Sequence, residues 1–261
     1  MPGSDLHVER WGDAGDLVIL VHGSFGWGSE TFSAQRPLAE RYRLRLVDRR
    51  GFGASPARPG GVDFEPDAVD VAGLLDEPAH LVGHSYGGVV TLLAAARRPA
   101  AVRSLTVVEP PAFGVARGDP AVERFLERLR AVWPARAGQS EEGFRAAFGL
   151  ALGRSGTAGR TLSDADRRAT RASMGERDPG EAEIPFDALR ARSFPTLVAR
   201  GRWDIDPASA AIAGAAFAAV CRVLVERLAA SEAIFAGAAH APQLLGPPFN
   251  DRLDRFFRTG R

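Results

Sequence analysis

The chain of 261 residues contains no lysine, so all 33 of its basic residues are arginine, set against 32 acids. That absence removes Schiff-base and pyridoxal-phosphate lysine chemistry, and any phosphate-binding loop that depends on its lysine. The near cancellation of charge leaves no field to gather nucleic acid or an anionic membrane, and neither is expected as a partner. A single cysteine, Cys221, allows no internal disulfide and no thiolate metal cluster. Within "AAFAAVCRVLVERL" it reads as a small buried apolar side chain. Histidine and cysteine do not recur at ligand spacing, so neither a metal nor an organic cofactor is expected. The start "MPGSDLHVERWGD" lacks the basic and then apolar layout of a signal peptide, and no apolar run approaches membrane-spanning length. The expectation is a cytoplasmic protein, monomer or homodimer, that acts on a small molecule.

With 45% apolar residues the chain is long enough to bury a full core. Short apolar runs at Leu17 to Val21, Leu44 to Val47, Ala79 to Val82, Leu105 to Val108, Thr196 to Ala199 and Ala233 to Phe235 alternate with longer helix-like segments. This is the pattern of a parallel sheet covered on both faces, and in such sheets the binding crevice lies at the strand C-termini. Between Pro111 and Phe194 the alternation stops. "DPAVERFLERLRAVW" puts Val122, Phe125, Leu126, Leu129, Val132 and Trp133 on one helical stripe, and Phe144, Phe148 and Leu152 repeat the pattern. Ser140 and Ser163, each followed by acids, read as N-caps. The chain therefore divides into an α/β core, residues 1–111 and 195–261, and a helical insertion, residues 112–194. Most aromatic rings of the insertion should pack as core, and a few should face the crevice.

The stretch "HLVGHSYGGVV" places Ser85 where an apolar strand ends and a helix begins, inside a G-x-S-x-G pattern. A sharp strand-to-helix turn crowds the positions two residues either side of the serine, and glycine there removes the collision. The helix that follows also points its positive end towards any negative charge formed beside Ser85. A serine hydroxyl needs a base, and the base an orienting acid. Of the five histidines, His7 lies in a first amphipathic strand, His80 comes several residues too early, His84 should point away from Ser85, and His22 opens a turn. His240, in a loop between the last strand and a final amphipathic helix, remains. Three acids are candidates: Asp204 and Asp206 in "VARGRWDID", and Glu109 at the end of "LTVVE".

The motifs "LVHGSFG", "DRRGFGAS", "GHSYGG", "VARGRWD" and "GAAHAPQ", in this order, resemble the α/β-hydrolase superfamily from about Leu17 to Phe257, apart from the insertion. The resemblance implies an α/β-hydrolase fold, a mostly parallel central sheet flanked by helices, with the insertion as a helical lid. It implies a triad in which Gly201-Arg202-Trp203-Asp204 matches the family's acid turn, so that Asp204 is the expected acid beside Ser85 and His240. Asp206 and Glu109 then become structural residues, and Asp206, directly before Pro207, suits the N-cap of the next helix. It also implies an oxyanion hole from the backbone N–H groups of Ser24 and Tyr86, with Phe25 as the alternative to Ser24. The activity implied is hydrolysis of a carboxylic ester or lactone through an acyl-enzyme. Thioesterases, carbon–carbon bond hydrolases and cofactor-free perhydrolases keep the same triad, and a ligand-sensing receptor on this fold is the reading from another class.

Overall fold

The computed structural model describes residues 5–154, 161–191 and 194–261. The N-terminal stretch 1–4 and two parts of the expected insertion, 155–160 and 192–193, lie outside the described residues. Among the described residues seven strands form one sheet: β1 Val8–Trp11, β2 Leu17–Val21, β3 Arg43–Val47, β4 Ala79–His84, β5 Val102–Val108, β6 Thr196–Gly201 and β7 Ser231–Phe235. Their order across the sheet is β1-β3-β2-β4-β5-β6-β7. β1 runs antiparallel to β3 and every other pair is parallel. All residues of β2 and β4 are buried, as expected of central strands covered on both faces. The six strands read from the sequence are present. Five of them extend beyond the apolar run by one to three residues, β3, β5 and β7 at the start and β4 and β6 at the end, because pairing with a neighbour continues past the apolar run.

In chain order the α-helices are α1 Gly28–Thr31, α2 Phe64–Gly73, α3 Tyr86–Arg97, α4 Pro120–Val132, α5 Glu141–Ala151, α6 Asp164–Met174, α7 Phe186–Arg190, α8 Pro207–Ser209, α9 Ala215–Leu228 and α10 Pro247–Thr259. On one face of the sheet, Phe64 and Val71 of α2, Val89 and Leu92 of α3 and Val220 and Leu224 of α9 join one apolar cluster. On the other face, Phe249, Leu253 and Phe256 of α10 pack with Trp11, Phe32 and Leu38. Between β5 and β6 every regular element among the described residues is helical, and one isolated bridge pairs Val62 with Glu176. Ser140 and Ser163 cap α5 and α6, the latter as a reciprocal capping box with Asp166.

One expectation is corrected. The stretch Pro207–Leu228, 22 residues with mean hydropathy 1.9, is long and apolar enough to cross a membrane by length and composition alone. The reading from single apolar runs missed it because α8, a π-helical turn over Ala210–Gly214 and α9 follow one another without a break. Half of its apolar window is buried inside the protein, with Phe217, Val220, Cys221 and Leu224 facing the core.

Candidate active site

β4 delivers the chain to Ser85 and α3 takes it away, which leaves Ser85 with φ 53 and ψ −125. Its backbone N–H donates to the Val108 carbonyl at 2.8 Å, which ties the turn to β5. A Cβ at Gly83 would run into Thr91 Oγ1 and the Gly87 carbonyl, and one at Gly87 would run into the Val21 carbonyl. The glycines two residues either side of Ser85 are therefore needed for the close approach of backbone that the turn requires.

His240 stands over the serine. Its Nε2 is 2.9 Å from Ser85 Oγ, and its Nδ1 is 3.0 Å from Glu109 Oε2. The other carboxylate oxygen, Oε1, accepts from the Gly201 backbone N–H at 2.9 Å and from Trp203 Nε1 at 2.8 Å. Glu109 is completely buried, and burial pushes its carboxyl up to about 8 against the opposing pull of Trp203, Gly201 and Arg200. Burial lowers His240 to about 4, helped by the positive charge of Arg154. His240 is thus held neutral at pH 7. The Gly201 and Trp203 N–H groups aimed at Glu109 Oε1 favour its carboxylate against the pull of burial, and beside a carboxylate the His240 proton sits on Nδ1, leaving Nε2 to accept the Ser85 hydroxyl proton.

The expectation that Asp204 orients the histidine is corrected by this geometry. Trp203 adopts φ 60, which turns its indole inwards, where it is 4% exposed, and leaves Asp204 facing outwards. Asp204 Oδ1 accepts from the Gly237 N–H at 2.9 Å and Oδ2 lies 4.0 Å from Arg202, and among the described residues no hydrogen bond joins it to His240. Asp206 caps α8, accepting from the N–H groups of Ala208 and Ser209. Glu109, expected as a structural residue, stands in the acid's place because its own backbone is left-handed at φ 46, just where β5 gives way to Pro110-Pro111. Among the described non-glycine residues only Phe25, Ser85, Glu109, Trp203 and Ala229 have positive φ, and the first four line or support this site. Strain of this kind collects where surrounding structure dictates the geometry of a functional site.

His84 does turn away from Ser85, but not from the site. Its Nε2 donates to the backbone carbonyl of His240 at 2.9 Å, so it holds the loop that carries the base. Burial lowers it to about 3 and keeps it neutral.

The loop after β2 faces the serine, and a Cβ at Gly23 would meet the Ser85 side chain. His22 is wholly buried: Nδ1–H donates to the Gly23 carbonyl at 2.6 Å, and Nε2 accepts from the Arg49 N–H at 3.0 Å. Phe25 donates its N–H to Ser173 Oγ at 2.8 Å. Among the described residues neither the Ser24 nor the Tyr86 backbone N–H has a hydrogen-bonded acceptor. Sequence reasoning did not single out Trp203, Ser173 or Glu176. The indole was hidden inside the turn credited to Asp204, and the other two lie far along the chain on elements whose docking only the fold decides.

A cavity of about 1660 Å³ opens over the serine, with Phe25, Phe113, Phe125, Trp133, Phe148 and Phe217 among its walls. Arg130 and Arg154 also line it. Among the described residues no three His, Cys, Asp or Glu side chains converge as they would around a metal ion.

Comparison with known proteins gives the same architecture. The chain is 41% identical over 111 residues to a pimeloyl-[acyl-carrier protein] methyl ester esterase of Aeromonas hydrophila, covering 41% of this chain and 43% of the relative, so the match spans less than half of that protein's length. A thermophilic esterase from Thermogutta terrifontis superposes with a TM-score of 0.69 at 26% identity, covering 98% of this chain and 93% of the other. MenH from S. aureus superposes with a TM-score of 0.71 at 15% identity, covering 97% and 98%, which speaks for the fold alone. The family model for the alpha/beta hydrolase family matches residues 18–256, from the second strand to the last helix, and the chain belongs to that family.

Proposed function

We propose that this protein is a serine hydrolase of carboxylic esters, lactones included, with Ser85 as nucleophile, His240 as base and Glu109 as the acid that orients it. The observation that carries this reading is the hydrogen-bonded chain Ser85 Oγ, His240 Nε2, His240 Nδ1 and Glu109 Oε2, at 2.9 and 3.0 Å. Ser85 Oγ attacks the ester carbonyl carbon while its proton passes to His240 Nε2. The carbonyl π pair moves to oxygen, and that oxyanion is met by the N–H groups of Ser24 and Tyr86. Collapse of the intermediate breaks the bond to the alcohol, which leaves with the proton from Nε2. Water then attacks the acyl-enzyme, giving one proton to His240, and the carboxylic acid departs as Ser85 regains its proton.

Residues 112–194 would act as a lid whose aromatic side chains receive the apolar part of the substrate. The large volume, with aromatic rings among its walls, favours esters with a bulky acyl or alcohol portion over acetate esters of small alcohols. The similarity to esterases supports the reaction class. The test is a panel of p-nitrophenyl esters of graded chain length, lactones and thioesters, with a fluorophosphonate probe alongside. Ester or lactone turnover, abolished as the probe appears on the peptide holding Ser85, is the expected result. An adduct elsewhere, or turnover that survives full labelling, overturns the proposal.

A further inference from the structure

The loop His22 to Phe25 is held from two sides. From the sheet domain, Arg49 donates Nε to the His22 carbonyl at 3.1 Å and one terminal nitrogen to the Gly23 carbonyl at 3.0 Å. From the segment between β5 and β6, Ser173 Oγ takes the Phe25 N–H at 2.8 Å, and Arg145 donates to the Phe25 carbonyl at 2.9 Å. The third contact from that segment is Glu176, whose Oε2 accepts the Ser24 hydroxyl at 2.5 Å while Oε1 accepts from Arg49 at 2.5 Å. Glu176 has no solvent exposure, and the proposed chemistry gives it no proton to carry. A second fully buried carboxylate beside a nucleophile site is costly to keep unless something depends on its position. Its backbone is pinned as well: Val62 pairs with it across the isolated bridge, taking Arg177 N–H at 2.8 Å.

We propose that Glu176 is a positioning residue for the oxyanion loop, acting through the Ser24 hydroxyl and Arg49 to hold the Ser24 backbone N–H where the oxyanion forms. The proposal rests on the ester-hydrolase reading. Ser173 complements it by occupying the Phe25 N–H, the competing donor, so that the segment between β5 and β6 selects which amide faces Ser85. A carboxylate suits the task because its two oxygens accept from Ser24 and Arg49 at once. An amide at this position has only one oxygen to offer and turns an NH2 group towards one of the two donors.

The test uses Glu176→Gln, Ser24→Ala and the double variant, with Ser24→Thr as the conservative change that keeps a hydroxyl. Thermal unfolding, kcat and KM on an ester turned over by the wild type, and the rate of fluorophosphonate labelling of Ser85 are measured for each. A misplaced donor acts on the transition state more than on substrate binding, so each single variant should lose about 10- to 100-fold in kcat with little change in KM. Labelling should slow in the same proportion, Ser24→Thr should recover most of the rate, and the double variant should be no slower than the slower single one. A folded Glu176→Gln with wild-type kcat and labelling overturns the proposal, as do losses confined to KM or losses that multiply in the double variant. Should Glu176→Gln fail to fold, Ser24→Ala decides alone, since it leaves the Glu176–Arg49 pair intact, and unchanged rates in it overturn the proposal. A wild type that neither cleaves esters nor labels at Ser85 refutes the ester-hydrolase reading, and this inference with it. A wild type that labels at Ser85 no faster than the variants refutes this inference alone.

Discussion

At the scale of single residues the acid is the decisive case. Glu109 accepts from the Gly201 N–H and Trp203 Nε1 and touches His240 Nδ1, whereas Asp204 is more than a third exposed and accepts from the Gly237 N–H. Glu109→Gln should cut kcat by about ten-thousandfold, because an amide favours the wrong histidine tautomer. Asp204→Asn should keep turnover within about tenfold of wild type, the range left to a surface contact that does not touch the base. Steady-state kinetics of the two variants decides the matter, and the reverse pattern would return the acid to the turn after β6. The acid limb of kcat/KM adds a second check. His240 must be neutral to accept the serine proton, and its value is lowered from 6.5 to about 4, so activity should persist below pH 6.5 and fall only as pH approaches 4. A limb near pH 8 would instead mean that Glu109 takes the proton first.

At the scale of elements the site is made of strand ends. β4, β5 and β6 run parallel and adjacent, so their C-terminal ends bring Ser85, Glu109 and the Gly201–Trp203 turn to one edge of the sheet. The turn from β4 into α3 depends on backbone approach at Gly87, where a Cβ would face the Val21 and His22 carbonyls. Gly87→Ala should therefore destabilise by more than about 1 kcal/mol, since a methyl group against backbone has nowhere to go. It should also slow labelling of Ser85, because the strain is relieved by shifting the same turn. Urea unfolding measures the first effect, and an unchanged midpoint would show that the turn yields without cost.

For the molecule as a whole, the histidines set the response to acid. His22, His80, His84 and His240 are all lowered by burial, to about 4 for His80 and His240 and about 3 for His84. In the unfolded chain they titrate near 6.5, so between pH 6.5 and about 4 the unfolded state binds more protons than the folded one. Stability from these groups is complete above pH 6.5 and declines as pH falls, by at most about 1.4 kcal/mol per pH unit for each histidine. The buried carboxyls Asp67, Glu109 and Glu176 are raised by burial against the pull of Arg49 or of N–H donors, and act in the opposite sense. Melting temperature should thus drop from pH 6.5 to pH 4. The drop should be shallower in a variant at His80, which stacks on Phe257 at 4.3 Å and lies away from the reaction. A melting temperature that is flat or rising over that window would show that the carboxyls dominate.

The sequence by itself determined the strands, the alternation that makes the sheet parallel, and the turn at Ser85, because each rests on local rules: apolar runs, helix caps, and glycines where a Cβ cannot fit. It also left His240 as the base by elimination, and the structure brings that residue to Ser85. Only the tertiary structure brings Glu109, and not Asp204, to His240. Both end a strand beside the crevice, and the choice turns on left-handed backbone at Glu109 and Trp203 that packing imposes and no local preference predicts. The same holds for the contacts of Ser24 and Phe25, which differ by one residue in sequence. Glu176 takes the Ser24 hydroxyl and Ser173 the Phe25 N–H from roughly 150 residues away in the chain, and a contact at that separation exists only after the chain has folded.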